Sequence, residues 1–298
     1  MKNSFLEKFL PVKLSKSGYQ IFSKRDIFKS IPKRKLDANK GDFGNVLIIG
    51  GNDGMAGAVI LAAETACRAG AGKVTVLTKK ENFIPLLARI PNVMTVNFEN
   101  QNDWQKIIKD KTVIVIGPGL GRDYDNSNWS SLLFGLAMES NLPKIIDADA
   151  LYFLSKSEIK DFNLKNSVIT PHPKEASILL NCSTDEIQKD RNLSIKKLQE
   201  KYQTNVILKG HNSLIMDPSH KLSLCSYGNS GMAVAGMGDV LSGLIAGLIA
   251  QNIDSFFAAV LAVNIHALAG DRVVKLQGQI GVMPQDLIKQ IPFIINDL

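Results

Sequence analysis

The chain has 298 residues, 45% apolar and 21% charged, which suits a globular protein of one large or two small domains. A net charge of +7 leaves anionic ligands open, but no RNA- or DNA-binding motif accompanies it, so the basic N-terminal residues (Lys24, Arg25, Lys29, Lys33, Arg34, Lys35, Lys40) read as a solvated face. Three scattered cysteines (Cys67, Cys182, Cys225) have no metal spacing, MKNSFLEKFLPVKL is too short and charge-broken for a signal peptide, and no segment reads as long enough to cross a membrane; a cytoplasmic location is expected.

Residues 1–23 show no pattern and read as an N-terminal appendage to a domain over 24–298. Asp26–Ile31 reads as a helical turn stopped by Pro32, and the polar run to Gly44 as a loop. Asn45–Ile49 is a strand that runs into Gly50-Gly51-Asn52-Asp53-Gly54. A small-residue helix follows, about Ala56–Ala69, with Cys67 expected in the core, and then the strand Lys73–Thr78. This is the form of a parallel βαβ crossover. GGNDGMAG lacks the GxGxxG spacing, and the next strand does not end in an acidic residue, so dinucleotide binding of the Rossmann kind is weakly supported. Gly57 and Ala58 imply a close approach to the first helical turn, by the sheet or by a ligand.

Glu81–Leu87 reads as a helix, Val93–Phe98 as a strand and Trp104–Ile108 as a helical turn. The buried-type strand Lys111–Ile116 ends in Gly117-Pro118-Gly119-Leu120-Gly121. Ligands gather at the C-terminal ends of parallel strands, so this turn is a site candidate, with a simple tight turn as the rival. Ser130–Ser140 reads as a helix. The strand Lys144–Asp147 ends in Asp147-Ala148-Asp149, two carboxylates that either face a metal–phosphate or cap the helix from Leu151. Ser167–Thr170 leads into Pro171-His172-Pro173-Lys174-Glu175, which opens a helix through Leu180. His172 reads as a substrate contact, since no carboxylate partner is evident beside it.

Thr184–Tyr202 reads as a polar helix pair. Asn205–Leu208 and Ser213–Asp217 form a hairpin at the sheet edge around Lys209-Gly210-His211-Asn212-Ser213, and Leu222–Ser226 is one more strand. The stretch YGNSGMAVAGMGDVLSGLIAGLIAQ then changes from a glycine-rich loop to a helix. Val240, Leu241, Leu244, Ile245, Leu248 and Ile249 make an apolar face, and Ser242, Gly243, Ala246, Gly247 and Ala250 a thin one. A glycine turn entering a helix aims unpaired N–H groups and the positive end of the dipole at one point, where an anion fits. Asp239 at that junction is either an N-cap or a functional carboxylate. A helix over Ser255–Leu268, capped by Asp254, is expected to pack on it. Val273–Lys275 and Pro284–Ile288 close the chain.

Taken together, KGDFGNVLIIGG with GMAGA, GPGLGRD, IIDADAL, TPHPKEA, VILKG and GNSGMAVAGMGDVLSG, spread over Lys40–Gln251, resemble the ribokinase-like superfamily and, within it, the ADP- or ATP-dependent NAD(P)H-hydrate dehydratases. The resemblance implies an α/β three-layer sandwich with a central, mostly parallel sheet and helices on both faces. It implies that (6S)-NAD(P)H hydrate and ADP give NAD(P)H, AMP and phosphate. Only residues ahead of Lys40 precede the match, so a dehydratase without the epimerase domain is expected. Carried over by position, Ala58, Gly119, Gly121, His172 and Asp239 would meet the hydrate, and Lys209, Gly210, His211, Asn212, Ser213 and Gly238 the nucleotide. Gly236, Met237 and Gly238 would form the anion hole, Asp239 would be the base, and Mg2+ would bridge the phosphates, with no metal ligand assigned. Met237 stands where the family loop has a small residue, but its backbone N–H remains available. A homo-oligomer, with a tetramer as the implied form, and no nucleic-acid or membrane partner complete the expectation. Two rivals stay open: a ribokinase-like kinase acting on a vitamin precursor, and a non-catalytic nucleotide-binding protein.

Overall fold

The computed structural model describes residues 13–14, 19–23, 26–27, 31, 33–98, 103–123, 128–158 and 162–296. In chain order the elements are β1 (Lys13–Leu14), β2 (Gln20–Ile21), β3 (Asn45–Ile49), α1 (Ala56–Arg68), β4 (Lys73–Leu77), α2 (Phe83–Arg89), β5 (Met94–Val96), α3 (Trp104–Ile108) and β6 (Val113–Ile116). Then come α4 (Trp129–Glu139), β7 (Lys144–Ile146), α5 (Asp149–Lys156), β8 (Val168–Ile169), α6 (Pro173–Leu180), α7 (Thr184–Lys189) and α8 (Arg191–Tyr202). The chain closes with β9 (Asn205–Leu208), β10 (Ser213–Met216), β11 (Leu222–Cys225), α9 (Met237–Ala250), α10 (Ser255–Gln277) and α11 (Pro284–Ile295).

The strands form one sheet in the order β1-β2-β11-β10-β9-β8-β7-β6-β3-β4-β5. From β9 through β5 every neighbouring pair is parallel. The β9–β10 and β10–β11 pairs are antiparallel. The central strands are apolar on both faces, as a covered parallel sheet requires. Val46, Ile48, Val113 and Val115 point into a core shared with α1, α9, α10 and α11. Leu47, Ile49, Ile114 and Ile116 alternate to the other face, against α4, α5, α6 and α8. The expected three-layer α/β sandwich is present.

Several sequence expectations shift. The Lys209 hairpin is inside the sheet, because β11 and β2 add beyond it. Gln20 of β2 pairs with β11 at Ser223, so a strand on the appendage side of the boundary drawn after residue 23 belongs to the sheet. Of the expected turn Asp26–Ile31, residues 26–27 are helical, while 28–30 lie outside the described residues. Lys40–Phe43 is a 3-10 turn capped by Asn39 rather than plain loop. Val273–Lys275 continues α10, whose 23 residues are long and apolar enough to cross a bilayer by composition, yet 72% of that apolar window is buried in the fold. Cys67 is half-buried at the margin of the core. Asp254 caps α10 as expected, accepting from Phe256 N and Phe257 N.

Helix α9 lies closest to α1, and its thin face is the reason. A Cβ at Gly243 would run into the Ala62 carbonyl, and one at Gly247 would come within 2.6 Å of Ala69 Cβ. Two apolar helices thus approach at backbone distance and hold the N-terminus of α9 over the sheet. Gly57 has nothing near its missing Cβ, so it marks open space rather than tight helix–sheet packing. We expect Gly243→Ala to lower stability by roughly 1–3 kcal/mol through overpacking, read as a reduced urea midpoint. Gly135→Ala on α4, with open space at its Cβ, should instead raise it by roughly 0.5–1 kcal/mol through helix propensity.

Candidate active site

Strands β9, β8, β7, β6 and β3 end side by side, and each feeds a loop that the sequence marked. At their centre sits Asp147, only 2% exposed. Its carboxylate accepts from Thr170 Oγ1 at 2.7 Å, Lys209 Nζ at 2.8 Å and Ser242 Oγ at 2.7 Å. Burial alone would push its pKa up; Lys209 and the two hydroxyls hold it below the usual carboxylate range. Lys209 is raised in turn: burial opposes its charge, but Asp147 and Glu175 outweigh it. Ser242 is on α9, so this one carboxylate ties the helix to β7, β8 and β9.

Ala148 has φ 48° and ψ −123°, a costly conformation for a residue with a Cβ. The kink separates its neighbours. Asp147 turns into the sheet, while Asp149 accepts from Gly121 N at 3.0 Å and pairs with Arg122 Nε at 2.8 Å. Neither carboxylate caps α5, which has no side-chain cap. Both glycine turns next door are cross-linked: Gly51 N donates to the Pro118 carbonyl at 3.0 Å and Asn52 N to that of Gly119 at 2.7 Å. Buried Asn82 and Thr78 both donate to the Gly51 carbonyl. A Cβ at Gly119 would crowd Met55 and Ala58, which places Ala58 against this turn.

Helix α9 begins at Met237 after Gly236, which has φ 92°, and no side chain caps it. The first-turn N–H groups of Met237, Gly238 and Asp239 therefore remain for an anion. Gly238 lies over the ion pair: a Cβ there would be in ordinary contact, at 3.4 Å, with both Asp147 Oδ2 and Lys209 Nζ. Asp239 is not an N-cap. It is the third residue of the first turn, and its pKa is pushed up to about 7, chiefly by burial and then by the charge of Asp147, with Lys209 opposing.

A cavity of about 580 Å³ opens beside this turn. Lys209, Gly210, His211 and Ser213 form one wall, Met237 and Gly238 the floor, and Met232, Val263 and His266 the far side. Asn212 does not line it; with φ 56° it makes the β9–β10 turn. Ala58, Gly119, Gly121, His172, Gly236 and Asp239 do not line it either. They belong to the loops of β3, β6 and β8 and to the start of α9. The sequence-marked residues thus divide into a cavity set and a set over the middle strands, with Asp147 and Lys209 between them.

His172 has the carboxylate partner that its sequence neighbourhood was read as lacking. It caps α6: its Nδ1 accepts from Glu175 N at 3.3 Å, its own N–H donates to Glu175 Oε2 at 2.7 Å, and Nε2 lies 3.4 Å from Oε1. Burial, and then Lys209, hold the imidazole below its ordinary pKa. Glu175 is pushed up to about 7 by burial, against the pull of Lys209 at 3.7 Å.

Sequence reasoning passed over the Asp147–Lys209 pair, Glu175, Thr170, Ser242 and His266. The first four are adjacent to marked motifs, but their pairing is tertiary. His266 sits in an apolar helix with no local signal; burial pushes its pKa down to about 4, and its buried Nε2 has no hydrogen-bond partner. For a divalent ion the fit is poor. Among the described residues no group of three His, Cys, Asp or Glu side chains converges, and Asp147 and Asp149 are already committed to protein partners.

Comparison with known proteins bears on the family and the fold. The family described as NAD(P)H-hydrate dehydratase matches residues 46–293. The bifunctional NAD(P)H-hydrate repair enzyme of Coxiella burnetii is 43% identical over 91% of this chain, which spans 54% of that protein. The chain thus covers about half the length of its first bifunctional relatives. The ADP-dependent (S)-NAD(P)H-hydrate dehydratase of Neisseria meningitidis is 34% identical over 85% of this chain and 83% of its own length. A ribokinase-like superfamily protein from Enterococcus faecalis superposes with a TM-score of 0.85 at 30% identity, covering 96% and 98% of the two chains. The chain belongs to the NAD(P)H-hydrate dehydratase family, on a ribokinase-like fold.

Proposed function

We propose that this protein dehydrates NAD(P)H hydrate, with ADP as phosphoryl donor, releasing NAD(P)H, AMP and phosphate. The observation that carries the reading is Asp239: a partly buried carboxylate with its pKa pushed up to about 7, on the open first turn of α9, near a cavity of about 580 Å³. Family membership supplies the substrate class.

The ring hydroxyl of the hydrate is a poor leaving group. In the first step its oxygen attacks the terminal phosphorus of ADP, the P–O bond to AMP breaks, and the hydroxyl proton passes to Asp239. The N–H groups of Met237 and Gly238 would hold the phosphoryl oxygens, positioning and neutralising charge as phosphoryl transfer requires. In the second step the ring C–O bond breaks, phosphate leaves with the electron pair, and the adjacent carbon gives its proton to water as the double bond returns. The nucleotide would occupy the cavity wall of Lys209, Gly210, His211 and Ser213, and the hydrate the side of Ala58, Gly119, Gly121 and His172. The nearby carboxylates make no cage for Mg2+ among the described residues, so this chain's side chains do not hold the ion by themselves. A cytoplasmic location and a homo-oligomer belong to the same proposal; free thiols at all three cysteines and exposed Leu276, Ile280, Met283 and Phe293 are consistent with it.

Incubation with hydrated NADH, Mg2+ and either ADP or ATP should regenerate the dihydropyridine absorbance and release phosphate, faster with ADP. A stable phosphorylated small molecule in its place would indicate a kinase. Asp239→Asn should keep ADP affinity and reduce turnover by at least about a hundredfold; near-normal turnover removes Asp239 as the base.

Turnover should rise with pH through about 7, as Asp239 loses its proton. Stability should run the other way. Unfolded, Asp239 titrates near 3.8; folded, near 7, so the folded state binds more protons between those values and this residue's contribution falls as pH climbs through the window. Asp239→Asn removes that loss, so its Tm advantage over wild type should be larger at about pH 8 than at about pH 4.

A further inference from the structure

The loop between β11 and α9 forms part of the far side of the nucleotide cavity, through Gly228, Asn229, Ser230, Met232 and Ala233. Glycines and short side chains dominate it, so its own packing gives it little to hold a shape. Helix α10 holds it instead, at two adjacent residues. The Asp271 carboxylate accepts from Gly228 N at 3.1 Å and from Asn229 Nδ2 at 2.9 Å. Asn229 passes the hold onward: its Oδ1 accepts from Gly231 N at 3.0 Å and caps a 3-10 turn over Ser230–Met232.

Gly270 supplies the second hold. Having no side chain, it leaves a notch in α10 that Met232 fills: a Cβ there would overlap Met232 Sδ and come to 2.8 Å from its Cγ. Glycine inside a helix is less favourable than alanine; what this one secures is the loop rather than α10. Neither Gly270 nor Asp271 lines the cavity itself. They can reach a bound molecule only through the loop.

We propose that Asp271 and Gly270 are positioning residues for nucleotide binding, which hold the loop from Gly228 to Ala233 in its binding shape before the nucleotide arrives. The proposal rests on reading the cavity as the nucleotide site. It places a determinant of affinity outside the residues that meet the nucleotide. A loop of this composition, left free, would lose backbone freedom on binding, and the lost entropy would weaken the complex. Two hydrogen bonds to a carboxylate and one seated side chain remove that freedom beforehand, and bonds to a carboxylate are among the stronger ones. The first turns of α9 are held separately, by Ser242 on Asp147 and by the close approach to α1 at Gly243. The clasp on α10 therefore governs binding rather than the chemical step.

The test combines titration with ADP, steady-state kinetics with hydrated NADH and thermal melts on the same variants. Asp271→Ala should raise both Kd and KM for ADP about tenfold, the scale of a lost hydrogen bond to a charged group. Its kcat at saturating ADP, and its KM for hydrated NADH, should stay within about twofold of wild type, because only nucleotide binding is lost. Asn229→Ala should weaken ADP binding similarly. The double variant should lose no more than the larger single loss, since both changes break one clasp. Gly270→Ala should also raise Kd for ADP, by pushing Met232 from its seat, while Tm holds or rises with the better helix residue. In a Met232→Ala background, which vacates the notch, the same Gly270→Ala change should leave Kd for ADP unmoved. Unchanged ADP affinity in Asp271→Ala and Gly270→Ala, additive losses in the double variants, or parallel rises in both KM values overturn the proposal. A wild type that binds neither ADP nor ATP removes the nucleotide reading of the cavity, and the proposal with it. One that binds ADP yet leaves hydrated NADH unconverted sinks the dehydratase reading alone, and the Kd measurements still decide the clasp.

Discussion

The buried carboxylate of Asp147 is the constraint on which the site depends. It accepts from Thr170, Lys209 and Ser242, which come from three separate parts of the chain. An ionised carboxylate in so dry a position is tolerable only with such partners. The partners are fixed by it in return. Lys209 is drawn inward, Ser242 anchors the first turns of α9, and the ion pair lies close to Gly238, 3.4 Å from where its Cβ would be. Burial pushes the pKa of Asp239 up toward 7, and the charge of Asp147 adds to the rise while Lys209 opposes it.

This changes the meaning of Lys209. A lysine at the mouth of a glycine hairpin suggests a phosphate ligand held by charge. In the fold its ammonium is already spent on Asp147, with Glu175 at 3.7 Å. Positive potential for a phosphate comes from the uncapped N-terminus of α9 instead, where backbone N–H groups are free of side-chain caps. The division is physically sensible. Backbone donors are rigid and cannot be titrated, whereas a lysine beside a base of pKa near 7 would compete for its proton if it were not held by a partner.

Close helix packing makes that N-terminus rigid. The thin face of α9 meets α1 at Gly243 and Gly247, and α10 covers another side. The two glycine turns after β3 and β6 bond to each other through backbone groups and to Asp149 through Gly121. The middle of the sheet thus presents a fixed floor. On one side of Asp147 lies the cavity, and on the other the loops after β3, β6 and β8. A donor and an acceptor can then approach one helix end from two directions.

Much of this was legible in the residues. Alternating and continuous apolar runs marked the strands from Asn45 onward, and glycine turns at their ends marked the site edge, because period and backbone freedom are local properties. The small residues of α9 announced a close neighbour without naming it. What local pattern could not supply was which distant groups meet. His172 looked partnerless, yet Glu175 three residues on becomes its partner once α6 starts there. Asp147 and Asp149 looked like a pair; the Ala148 kink sends them to different tasks. Asp239 was an even choice between cap and functional carboxylate, and the fold puts Gly236 at the cap position and Asp239 inside the first turn. Sequence by itself determined the order of elements, the family and the candidate loops, since these depend on periodicity and short motifs. Only the tertiary structure decided charge states, cavity walls and ion-pair partners, because desolvation and Coulomb interaction depend on distance in space rather than along the chain.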